Sequence, residues 1–110
     1  MRVLLDENLD HRLASHLKPI EITSMAALGW GGLKNGILLQ RMVSKGFTHL
    51  LTSDKNIRHQ QNESLLFQKN ISVIILAGPN LLQSHVNHIR LIRLAIKKNR
   101  PGFVEIKYGA

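Results

Sequence analysis

A chain of 110 residues with 44% hydrophobic content has the size of a single domain, 1–110, and enough apolar material to fill one core. It has no cysteine, which excludes disulfides and thiolate metal sites and agrees with a reducing cytoplasm, and no stretch approaches the roughly 20 apolar residues of a membrane span. Fifteen Lys and Arg against seven Asp and Glu give a formal charge of +8, which favours polyanionic partners without choosing among RNA, DNA and an acidic protein.

Arg2 to Leu5 reads as a short buried strand that stops abruptly at Asp6 and Glu7, and the two acids also interrupt any signal-peptide pattern. Asn8 suits a helix N-cap, with Leu9, Leu13 and Leu17 as one apolar stripe after it. Lys18-Pro19 marks a break, and Ile20 to Ser24 alternates as a second strand. Met25 to Leu28 suggests one helical turn before the loop Gly29-Trp30-Gly31-Gly32. Trp30 there reads either as a hydrophobic plug over the sheet or as a base-stacking platform. Asn35 to Lys45 carries Leu38, Leu39, Met42 and Val43 at helical spacing, with Asn35 as cap and Gly46 as stop. Ile37 is the odd residue, since Gln40, Arg41 and Ser44 beside it form the polar face.

Thr48 to Leu51 reads as the third strand, and Thr52-Ser53-Asp54 again places an acid after it. Asp54 to Asn62 is polar with one apolar residue. It is a surface loop or short helix whose amides, Arg58 and His59 serve either as phosphate and ribose contacts or as a solvated connector. Glu63 to Lys69 supplies a short helix with Leu65, Leu66 and Phe67 inward. Ser72 to Leu76 is β-branched and continuous, as expected of a parallel strand covered on both faces. Asn80 can cap one long helix to about Lys98, with Leu82, Val86, Ile89 and Ile96 as its buried stripe and a basic second half. Pro101-Gly102 breaks it, and Phe103 to Lys107 alternates as a final edge strand.

Alternating strands and helices predict an α/β fold with a central, mostly parallel five-stranded sheet and helices on both faces. Right-handed crossovers would set strands 1 and 3 side by side, bringing Asp6 and Asp54 together at the carboxyl edge where such sheets bind ligands. Acids enclosed by a positive surface suit a nuclease, which must attract phosphate while holding a metal. Each acid also has a plainer reading: Asp6 as a helix cap, Glu7 as a first-turn charge, Asp54 as a turn residue. His85 and His88 share a helix without a third ligand at suitable spacing, which argues against zinc.

The motifs Leu5-Asp6-Glu7-Asn8-Leu9, Gly29-Trp30-Gly31-Gly32-Leu33-Lys34-Asn35-Gly36, Thr52-Ser53-Asp54-Lys55-Asn56 and Gln60-Gln61-Asn62 resemble, in this order and over essentially the whole chain, the DUF5615 PIN-like domain family. The resemblance implies a PIN-like three-layer α/β/α sandwich and a Mg²⁺- or Mn²⁺-dependent endoribonuclease. Many PIN domains are toxins of toxin-antitoxin pairs, so it also implies a small antitoxin protein as partner. Carried over motif by motif, Asp6, Glu7 and Asp54 are the catalytic acids, and Asp6 and Asp54 hold the metal with Asn35 assisting. Lys34, Lys55, Asn56, Arg58 and Gln61 are the candidate contacts to single-stranded RNA. Many PIN-like relatives have acids where Asn35, Ile37 and Asn56 stand; Asn35 and Asn56 also occur in this subgroup, whereas Ile37 is a further departure. Mg²⁺ can be held by one or two carboxylates plus substrate phosphate, so metal binding without substrate is expected to be weak.

The rival expectation is a catalytically degenerate PIN-like module that binds nucleic acid or protein and cleaves nothing. A third class, a non-enzymatic regulator with a flavodoxin-like sheet, lacks support because no phosphate-cradling glycine motif follows strand 1. Apolar residues near Trp30 and on the long helix leave room for a homodimer.

Overall fold

The computed structural model describes residues 1–33 and 35–109, with Asn35 by its backbone alone. In chain order the elements are β1 (Arg2–Leu5), a 3-10 helix (His11–Leu17), β2 (Glu21–Ser24), α1 (Met25–Leu28), α2 (Asn35–Ser44), β3 (His49–Thr52), α3 (Ile57–Gln60), α4 (Glu63–Gln68), β4 (Ser72–Ala77), α5 (Leu82–Asn87), α6 (Ile89–Lys98) and β5 (Gly102–Lys107). The strands form one five-stranded sheet in the order β2-β1-β3-β4-β5, with every neighbouring pair parallel. The mostly parallel sheet of the sequence reading is parallel throughout, and β5 lies at an edge as expected.

Side chains alternate across a strand, so each buried strand serves two cores. Leu4, Leu50, Val73 and Ile75 point into one layer with Met25, Leu38, Leu39, Met42, Ile57 and Leu66. Val3, Leu5, Leu51, Ile74 and Leu76 point into the other with Leu13, Leu17, Ile92 and Ile96. Helices thus cover both faces, giving a three-layer α/β/α sandwich. Burying each such aliphatic side chain is worth about 1.5–3 kcal/mol, which explains why β4 is apolar at successive positions rather than at alternate ones.

The connections decide where a ligand can sit. The chain leaves β1 over the face of the 3-10 helix to reach β2, then returns over the opposite face, past β1, to β3. Departures over opposite faces from neighbouring strands leave a crevice at their carboxyl ends, between β1 and β3. The last connection, β4 to β5, moves along the sheet in the same direction as β3 to β4 but over the other face. Its crossover therefore has the opposite hand to the other three, against the strong general preference for a single hand. Packing supplies a reason: the 3-10 helix buries only Leu13 and Leu17, and Ile92 and Ile96 of α6 close the rest of that face. Arg93 joins the two elements by donating to the carbonyl oxygens of His16 at 2.7 Å and Leu17 at 3.4 Å.

Several local expectations change. The first helix is capped by Asp10 rather than Asn8: the Asp10 carboxylate accepts the Arg12 N–H at 3.0 Å and the Arg12 guanidinium at 2.7 Å. Those bonds hold the Asp10 carboxyl down to about 2. The predicted long helix is two helices, α5 and α6, meeting at His88, and Asn80 caps neither. Val43, Leu65 and Phe67 are exposed, because α2 and α4 each turn only a narrow face to the sheet. Ile37 is 56% exposed on α2. Trp30 is buried and meets Phe47 edge-on at 5.8 Å between ring centroids, so it is the plug and not an open stacking surface. Among the described residues, no helix is long and apolar enough to cross a membrane.

Candidate functional site

Leu5 and Leu51 are level in the parallel pair of β1 and β3, and the Asp6 N–H extends that ladder by donating to the Leu51 carbonyl at 2.9 Å. This sets Asp6 beside Thr52. The Thr52 hydroxyl donates to Asp6 Oδ2 at 2.5 Å and accepts the Asp54 N–H at 3.0 Å. The remaining Asp6 oxygen, Oδ1, accepts the Glu7 N–H at 2.7 Å, and Asp54 Oδ1 accepts the Asn56 N–H at 2.9 Å. Both carboxylates are oriented by backbone and hydroxyl donors. Neither is in an ion pair with a lysine or arginine among the described residues.

Asp6 and Asp54 share a cavity of about 190 Å³, lined also by Glu7, Asn8, Gln60 and Gln61 and floored by Leu33, Leu38 and Ile57. Burial pushes the Asp6 carboxyl above its usual range; the bonds from Thr52 and the Glu7 N–H pull the other way, and the charges of Glu7 and Asp54 add to the rise. A poorly solvated carboxylate facing a second one is an environment that a bound cation relieves. The donors around the cavity are carboxylate and amide oxygens, which suit a hard ion such as Mg²⁺ or Mn²⁺. Among the described residues, no three His, Cys, Asp or Glu side chains are grouped to hold a metal, so Asp6 and Asp54 would be its protein carboxylates.

The Glu7 side chain turns toward the Trp30 loop, its two oxygens 3.3 and 3.2 Å from the Gly32 nitrogen that donates to them. A Cβ at Gly31 would lie 3.1 Å from Glu7 Oε2, which makes glycine the natural residue for that close approach. Glu7 therefore lines the cavity and also ties the loop after α1 to the turn after β1.

The other predicted contacts disperse. Lys34 and the side chain of Asn35 lie outside the described residues. Lys55 is exposed and lines a neighbouring cleft of about 420 Å³ with Lys107 and Tyr108, at the same edge of the sheet. Asn56 is exposed and serves Asp54 through its backbone N–H. Arg58 is turned toward β5, 3.5 Å from Glu105 and 5.3 Å from the centre of the Phe103 ring. Gln61 is buried in the cavity wall.

The chain has no match among family models, curated proteins or solved structures.

Sequence reasoning assigns no role to Thr52 and none beyond capping to Asn8, yet both stand at the site; Gln60, one of the amides offered as phosphate contacts, lines it as well. For Thr52 a signal existed: a hydroxyl two residues before an acid can receive that acid's backbone N–H. Its bond to Asp6 depends on strand pairing and had no local signature.

Proposed function

We propose that this chain is a PIN-like, divalent-metal-dependent endoribonuclease acting on single-stranded RNA. The observation that carries the reading is the meeting of Asp6 and Asp54, from the ends of adjacent strands, in one small cavity beside the crevice of the sheet. Asp6 and Asp54 would hold Mg²⁺ or Mn²⁺, which when bound supplies Lewis acidity toward a phosphate oxygen. Thr52 keeps the Asp6 carboxylate aimed, and Glu7, exposed at the mouth, takes the proton of the attacking water at a carboxylate oxygen. The formal charge of +8, with Lys55 directly after Asp54, draws the phosphate backbone to the acids.

The test is Mn²⁺- or Mg²⁺-dependent cleavage of a fluorescent single-stranded RNA. Asp6→Asn and Asp54→Asn are expected to abolish cleavage with circular dichroism unchanged, and cleavage surviving both substitutions would overturn the reading. A toxin role belongs to the same proposal; it predicts growth arrest on expression that Asp6→Asn relieves. The degenerate-module alternative draws on Glu7 being engaged by Gly32, which leaves two carboxylates for a cation. It predicts salt-sensitive RNA binding without cleavage, unaffected by either Asn substitution.

A further inference from the structure

A line of polar side chains runs from the end of β5 to the turn that carries Asp6. His85 is 1% exposed, with Nδ1 against the Tyr108 hydroxyl and Nε2 3.0 Å from Asn80 Oδ1. Asn80 Nδ2 in turn donates to the Asn8 carbonyl at 2.8 Å. Hydrogen-bond chemistry gives this line a direction. With the amide NH₂ committed to Asn8, Asn80 Oδ1 can only accept, so His85 Nε2 carries a hydrogen. Burial foremost, and the neighbouring His88 charge, lower the His85 pKa, so the ring is neutral and its Nδ1 lone pair receives the Tyr108 O–H.

Tyr108 is itself held in place. It is buried, its ring stacks on His88 at 4.2 Å between centroids and 13° between planes, and it occupies the space where a side chain at Gly78 would begin. At the other end, Asn8 Oδ1 faces the Ser53 N–H at 3.5 Å, so residue 8 stands between the turn bearing Asp6 and the turn bearing Asp54.

Building on the metal-site reading above, we propose that Asn80 is a positioning residue of the carboxylate site: through Asn8 it sets the turn that presents Asp6 to Asp54, and His85 with Tyr108 fixes the orientation of its amide. Asn80 does not line the cavity, and it acts through the backbone of a residue that does. Groups hydrogen-bonded directly to metal ligands are typically worth about 10- to 100-fold in metal affinity, and Asn80, which acts one residue further out through Asn8, belongs at the low end of that range.

The experiment uses the whole chain and Mn²⁺ alone, without RNA. In ¹⁵N-labelled wild type, His85 is expected as the Nε2–H tautomer; an Nδ1–H tautomer overturns the proposal. Asn80→Ala and His85→Leu delete the line, whereas His85→Gln keeps a donor near the Nε2 position. Paramagnetic broadening at Asp6 and Asp54 should report Mn²⁺ affinity about tenfold weaker in the first two and within about threefold of wild type in His85→Gln. The amide resonances of Glu7, Asn8 and Ser53 should move in Asn80→Ala. Unchanged affinity and unchanged amide resonances in folded Asn80→Ala overturn the positioning role. Absence of broadening in wild type instead sinks the metal reading, and the amide resonances then decide whether Asn80 holds the turn. Should both deletion variants fail to fold, the wild-type tautomer decides.

Discussion

Thr52 and Asp6 are joined by a 2.5 Å hydrogen bond from hydroxyl to carboxylate across the β1–β3 pair. The same oxygen accepts the Asp54 N–H at 3.0 Å, so one fully buried side chain aligns both acids. Thr52→Val has nearly the same shape but removes both bonds, and should cost about 1–3 kcal/mol of stability because a half-buried N–H and a half-buried carboxylate lose a partner. It should also raise the Asp6 carboxyl pKa further, since a bond that lowers it is gone. Thermal unfolding together with a carbon-13 titration of Asp6 tests this, with Thr52→Ser expected to restore both; an unmoved Asp6 titration would refute it.

The elevated Asp6 pKa has a defined consequence for stability against pH. The folded chain holds this proton more tightly than the unfolded chain, whose carboxyl titrates near 3.8. The stabilising contribution is complete below that value and is lost as pH rises through the folded pKa, so ionised Asp6 is a burden at neutral pH. Asp6→Asn should therefore melt higher than wild type at pH 7 in metal-free buffer, with the gap closing as pH falls. Mn²⁺ should reverse the order: at ten times its Kd it stabilises wild type by about 1.4 kcal/mol and the variant not at all. Melting curves with and without Mn²⁺ read both effects, and an Asp6→Asn variant that Mn²⁺ stabilises as much as wild type would contradict them.

On the acid side, His49 is expected to reduce stability. It is fully buried on β3, with Nδ1 2.7 Å from the Thr48 hydroxyl, while Nε2 has no hydrogen-bond partner among the described residues. Desolvation lowers its pKa, and the nearby Ile96 carbonyl, outside hydrogen-bond geometry, offsets this only in part. The unfolded chain takes up the proton first, near 6.5, so stability present above that pH is lost as pH falls toward the folded value. His85, also lowered, contributes in the same direction. His49→Leu should lose less stability than wild type between pH 7 and pH 5 in urea unfolding; equal losses would place the acid sensitivity elsewhere.

Gly78 tests the seat of Tyr108. A Cβ there would lie 2.7 Å from the Tyr108 carbonyl oxygen and closer still to its ring, so Gly78→Ala must push the segment after β5 outward. The expected cost is about 1–3 kcal/mol, with loss of the ring-current shift that Tyr108 imposes on His88. Gly36→Ala, with nothing within 4 Å of its Cβ and a helical backbone, should instead stabilise by about 0.4–1 kcal/mol. Thermal unfolding of the two variants separates crowding from backbone entropy, and a neutral Gly78→Ala would show that Tyr108 is not held there.

Sequence patterning by itself determined the class of the fold and the placement of the acids. The continuous apolar run of β4 and the abrupt ends of β1 and β3 follow from which backbone faces are buried, a local property with a period that a single chain displays. Side chains whose partners lie far along the chain were decided only by the tertiary structure. Arg58 turns to Glu105, Glu7 to Gly32 and Asn80 to Asn8, because strand order and helix packing, not local spacing, determine which donor meets which acceptor. The hand of the β4–β5 crossover is of the same kind: it depends on which face the 3-10 helix left open, and α6 closes that face wherever the chain must pass to do so.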